Sequence, residues 1–82
     1  MVGLAWGRLM VTGAQVRLAR RLLSWTASEL AHRAIVSVEI VDLIEGTRGP
    51  VRENLGHLAA IQATLEAGGI EFTDTGRVRL LP

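Results

Sequence analysis

This 82-residue chain contains no cysteine, which excludes disulfides, cysteine-based zinc sites and thiol chemistry. It also contains no lysine, so all nine of its basic residues are arginine. An arginine fork suits phosphate and carboxylate equally, and the choice does not discriminate between partners. Net charge is scarce too: +1 at neutral pH is far from the strongly basic balance that marks many nucleic-acid binders. Long apolar runs are missing. The opening "MVGLAWGRLMV" is broken by Arg8, is about half the length of a membrane span, and follows no basic n-region. Neither a span nor a signal peptide is expected, and the cytoplasm is the default location. No cluster of His, Asp and Glu has metal-ligand spacing, and no nucleophile has a recognisable base beside it. An enzyme is therefore not expected, nor a cofactor or small-molecule ligand. There is also no repeat, low-complexity segment or linker.

What is present is apolar. Hydrophobic residues make up 49% of the chain and the mean hydropathy is +0.31, high for a small soluble domain in which surface outweighs interior. Some apolar surface is expected to meet a partner, and self-association is the simplest candidate. The length supports one domain near the lower limit for a single core.

Capping chemistry divides the chain. Thr12 with Gln15, and Thr26 with Glu29, have the form of capping boxes. The first predicts a helix through about Leu23, with Val16, Ala19 and Leu23 on one face. The second predicts a helix from Ala27 to about Arg33, where Trp25 and Leu30 hold the positions of a hydrophobic staple. Ser37 caps a third helix through Glu45, with Val36 and Val41 as its staple. Gly46, Gly49 and Pro50 make a loop. A fourth helical region runs from about Arg52 to Ala67, with a bend expected near Gly56. Leu58, Ile61 and Leu65 recur there at helical spacing before the Gly68–Gly69 stop. His57 is expected to cap or pack at its start, and His32 to be solvated. In the tail, Ile70 and Phe72 alternate with Glu71 and Thr73, Asp74–Gly76 is a turn, and Val78 and Leu80 flank Arg79. That pattern reads as a β-hairpin that needs something to lie on. The expected organisation is an N-terminal extension over 1–11, a helical domain over 12–69 and the hairpin over 70–82. Met10 can serve as an internal start; the alternative is that Leu4, Trp6 and Leu9 pack as an arm.

From Gly13 to about Leu81 the chain resembles the Cro/repressor (Xre-like) helix-turn-helix family, in particular short bacterial regulators with a C-terminal helix-to-strand segment. The stretches that carry the resemblance are "RLARRLLSWTAS", "SELAHRAIVS", the "IEG" of Ile44–Gly46 and "LAAIQATLEAGGIEF". It implies a mostly α, four- to five-helix lambda-repressor-like domain with a C-terminal β-hairpin. The implied function is DNA-binding transcription regulation by a homodimer on double-stranded DNA. It also implies a structural ion pair between Arg20 and Glu45, which fixes the recognition helix on its scaffold. Base-reading positions fall on Val38, Glu39 and Leu43. Ala27 stands where the family uses a phosphate-binding glutamine, so only the backbone N–H groups of the helix start remain for that task.

Three further features depart from the family. The recognition helix is apolar and acidic, with Glu39, Asp42 and Glu45 and no basic residue. Valine or leucine can touch a thymine methyl and glutamate can accept from cytosine N4, but the arginine fork on guanine is not available. Ile35 replaces the turn glycine of positive φ, where a β-branched residue costs about 1 kcal/mol or more. Either the turn is strained or its geometry differs. Ser24 replaces a second glycine, at the end of the first helix. Contacts to DNA then fall to Arg17, Arg21, Arg48 and Arg52, with the last two the best phosphate candidates, while Arg33 reads as an ordinary solvated charge. The alternative function is a protein-interaction module on a helix-turn-helix fold that has lost DNA readout, with Val38, Ile40 and Leu43 facing protein. The homodimer is expected to form through the hairpin, whose edges are open to a second copy.

Overall fold

Three hydroxyl side chains begin the first three helices of the computed structural model, which describes residues 11–82. Thr12 caps α1 (Gly13–Leu22) and Thr26 caps α2 (Ala27–Ala34), each in a complete capping box with Gln15 or Glu29. Ser37 caps α3 (Val38–Glu45) by accepting from the Ile40 N–H at 3.2 Å. Each cap satisfies N–H groups that a helix start leaves without partners. A longer helix, α4 (Leu55–Ala67), leads into an antiparallel hairpin of β1 (Ile70–Phe72) and β2 (Val78–Leu80). The described residues are thus mostly helical, with one small two-stranded sheet. None of their helices is long and apolar enough to cross a membrane.

The core follows the helical periodicities. Val16 and Ala19 of α1, Leu30 of α2, Val41 and Ile44 of α3, and Leu58, Ile61 and Leu65 of α4 are all buried. Leu23 and Trp25, in the link from α1 to α2, pack against this cluster. Trp25 lies so close to Gly68 that a Cβ there would come within 2.9 Å of the indole. The hairpin rests on α1 and α4. It buries Ile70, and the Gln15 amide donates to the Gly76 carbonyl at 2.6 Å.

The structure departs from the sequence expectations at several places. The α4 helix starts at Leu55, because Asn54 takes a left-handed conformation that stops a helix from extending back to Arg52. Gly56 lies inside its first turn, and α4 is one helix from Leu55 to Ala67. His57 is exposed and neither packs nor caps. Residues 1–10, with Leu4, Trp6, Leu9 and Met10, lie outside the described residues. Val11, expected in the extension, is 2% exposed and accepts a hydrogen bond from the Val51 N–H at 2.9 Å. It joins the core and pins the loop between α3 and α4.

Candidate nucleic-acid interface

The candidate surface is built on α3, and its inner side is held by several contacts at once. Arg20 grips Glu45 with two parallel hydrogen bonds, Nε to Oε2 at 2.7 Å and Nη2 to Oε1 at 2.9 Å. Its Nη1 donates to the Trp25 carbonyl at 3.0 Å. Glu45 is buried, and the hydrogen bond to its carboxylate raises the Arg20 guanidinium pKa further. Such a two-point fork fixes orientation as well as distance. Arg17 adds a bond from Nη2 to the Glu45 main-chain carbonyl at 2.8 Å. That contact places a cation at the negative end of α3, where the helix macrodipole favours it. A Cβ on Gly13 would come within 2.3 Å of the Ile44 carbonyl oxygen, and almost as near those of Glu45 and Thr47. Only glycine permits the start of α1 to approach the end of α3 so closely.

The outer side of α3 contrasts with this. Glu39, Asp42 and Leu43 are exposed, with Leu43 at 57%. Val38 and Ile40 are half-buried and pack against the core. Of the three base-reading candidates, Glu39 and Leu43 therefore face solvent and Val38 turns largely inward.

The connection from α2 to α3 spans Ile35–Ser37. Ile35 has φ 58° and ψ 48°, in the left-handed region, so the local geometry that suits glycine is adopted by a β-branched residue. Its side chain is 90% exposed and recovers none of that cost through packing. Ser24 has φ 59°, also in the left-handed region.

The arginines divide into engaged and free. Arg17, expected at a phosphate, is bound to the end of α3. Arg33, expected to be solvated, lays its guanidinium over the Trp25 ring at 4.4 Å from the centroid. Arg21, Arg48 and Arg52 are exposed, and the ion pairs of the described residues are formed by Arg17, Arg20 and Arg79 instead. Arg48 and Arg52 flank a surface depression of about 430 Å³ beside Leu43 and Thr47, with Glu53 also on its rim. At the start of α2, half-buried Ala27 leaves only backbone N–H groups for an anion, and the Glu29 carboxylate of the capping box competes there.

Sequence reasoning missed Gly13 and Arg17 as parts of the α3 mount. No local signal marks them, since both act across a gap of about 30 residues in the chain. Among the described residues, no group of three or more His, Asp or Glu is placed to hold a metal ion.

Fold and surface together define a small, mostly helical domain that presents one short helix to solvent with free arginines beside it. Compared with protein-family models, curated proteins and solved structures, the chain matches none.

Proposed function

We propose that this chain is a DNA-binding transcriptional regulator of the Xre-like helix-turn-helix type, acting as a homodimer. The observation that carries the reading is the mount of α3. An eight-residue helix is held at its C-terminus by Arg17, Arg20 and the close approach at Gly13, while Glu39, Asp42 and Leu43 stay exposed. A recognition helix needs this combination, because base edges are read only when the helix is presented at a fixed angle. The left-handed Ile35 supports the same assignment, since it occupies the turn position where the family carries glycine. Arg48 and Arg52 supply phosphate contacts beside the helix, and Leu43 is the side chain placed to touch a thymine methyl.

A second reading is favoured by a specific observation. The exposed side chains of α3 itself are apolar or acidic, with Leu43 at 57% exposure between Glu39 and Asp42, and Ile35 in the turn before it is 90% exposed. That chemistry suits a basic, partly apolar protein partner better than a polyanion, and function belongs to the site rather than the fold. A fluorescence titration of the intact chain against genomic fragments over a salt series separates the two. The DNA reading requires binding that weakens as salt rises; absence of binding at the lowest salt removes it and leaves the protein-interaction module.

A further inference from the structure

We infer that a second copy of this chain docks along the outer edge of β2, on a ridge formed with Leu18 and Leu22 of α1. The inference deepens the homodimer part of the proposed function and does not depend on DNA binding.

The hairpin register defines the free edge. Ile70 pairs with Leu80, Glu71 with Arg79 and Phe72 with Val78. The Leu81 N–H donates to the Gly69 carbonyl at 2.7 Å and the Thr73 N–H to the Arg77 carbonyl at 2.9 Å. In an antiparallel ladder, hydrogen-bonded pairs alternate with non-bonded ones. The main-chain N–H and C=O groups of Val78 and Leu80 therefore point away from β1, and none of them joins a hydrogen bond among the described residues. Two such residues are the template that an added strand needs.

Side chains beside that edge select what is added. At about 100° per residue, Gln15, Leu18 and Leu22 fall on one flank of α1, and Arg17 and Arg20 on the other. The arginine flank faces the end of α3. The Gln15 flank faces the hairpin, through its bond to Gly76 at the start of β2. At the other end of α1, Leu23 lies against Gly68 and Leu80 against Gly69, so β2 runs alongside the helix. Leu18, Leu22, Leu80 and Leu81 are 48%, 38%, 46% and 43% exposed. Leu81 turns to the Arg79 face of the strand, opposite Leu80, so Leu18, Leu22 and Leu80 form the exposed apolar ridge beside the edge.

A symmetric pair of chains covers this surface with the chain's own residues. Two β2 strands running antiparallel through Val78 and Leu80 place Leu80 of one copy opposite Val78 of the partner subunit, and bring Leu18, Leu22 and Leu80 of both copies to one side. On the other side the Arg79 side chains of the two copies fall opposite each other, and each is paired with its own Glu71 at 2.6 Å, which offsets the repulsion of like charges. The three ridge leucines supply roughly 30% of the ~800 Å² per partner that a standard interface buries, and the strand backbones and hairpin face supply the rest. The interface also lengthens a hairpin of three-residue strands into a four-stranded sheet, which removes the weakness of an isolated pair. Because the hairpin packs on α1 and α4, the outer face of α3 stays free in both copies.

Sedimentation equilibrium of the intact chain, with Leu18→Glu, Leu80→Pro and Leu55→Glu beside it, tests the inference. Leu80→Pro removes an N–H that the in-chain ladder does not use, and Leu55 is an exposed leucine away from the ridge. The intact chain and Leu55→Glu are expected to be dimers at tens of micromolar. Leu18→Glu and Leu80→Pro are expected to raise the dimer dissociation constant at least tenfold. Far-UV circular dichroism checks folding; should Leu80→Pro unfold, Leu18→Glu alone decides. A monomeric intact chain at high micromolar concentration, a dimer that survives Leu18→Glu, or one lost in Leu55→Glu overturns the inference. A dimer that binds no DNA removes the DNA reading and leaves this interface standing.

Discussion

The two sides of α3 have opposite physical characters within eight residues. Towards the protein, Val41, Ile44 and Glu45 are buried, and the helix end is tied to α1 by a two-point ion pair, an arginine-to-carbonyl bond and a glycine contact. Towards solvent, Glu39, Asp42 and Leu43 are exposed, and no ion pair or side-chain hydrogen bond of theirs is formed among the described residues. Over-determination on one side and freedom on the other let the outer residues vary without moving the helix. Mutations on the inner side should therefore register as stability, and those on the outer side as binding.

Loss of the ion pair on the inner side should cost most. Arg20→Ala or Glu45→Ala leaves a poorly solvated charge without its partner, and each should cost about 3 kcal/mol, the lower end of the range for buried pairs. In a double-mutant cycle the two should couple strongly, as both remove one interaction. Chemical denaturation measures this, with Arg21→Ala as the control; Arg33→Ala is unsuitable, since it also removes the stack on Trp25. Additive, near-neutral changes would make the pair a surface feature. Gly13→Ala comes next, at about 2–3 kcal/mol, because its methyl group must push apart the contact between α1 and the α3 carbonyls. Wild-type stability in that variant would mean that α1 and α3 are not held so closely.

Smaller effects sharpen the contrast. Ile35→Gly should raise stability by about 0.5–1 kcal/mol, as relief of left-handed strain outweighs the greater freedom of glycine in the unfolded chain. A loss of stability there would mean that the isoleucine side chain is packed. Glu39→Gln with Asp42→Asn should leave the denaturation midpoint unchanged and strengthen general DNA affinity by removing two repelled carboxylates. Leu43→Ala should alter preference among DNA sites and leave stability within about 0.5 kcal/mol of wild type, as for surface substitutions elsewhere.

Much of this contrast was legible from residue types. Capping boxes act over three residues, so Thr12, Thr26 and Ser37 marked the helix starts. At about 100° per residue, helical spacing alone puts Val41 and Ile44 on one side of α3 and Glu39 and Leu43 on the other. The hairpin followed from its alternation and turn. Contacts between distant segments were less legible. Gly13 reads as a weak helix starter until the α3 carbonyls are seen against it, and Arg17 reads as a free charge until the helix end is seen within its reach. Val38 was a base-reading position only by resemblance, which gives a place in the helix but not the depth of the neighbouring core. The start of α4 depended on the left-handed Asn54, a backbone choice that the apolar repeat beginning at Leu58 does not report. Of the candidate site, the outward helix face was legible, while the division of the arginines into engaged and free was not.

The salt dependence of DNA binding by the intact chain, compared with its Arg48→Ala/Arg52→Ala variant, tests the DNA reading most directly. Each phosphate neutralised contributes about 0.9 to the slope of log K against log salt. A modest slope is expected for the intact chain. In the double variant the slope should fall by about 1–2, with weaker binding to all sequences alike. Binding that persists at high salt and is indifferent to both arginines, or no binding at any salt, would contradict that reading.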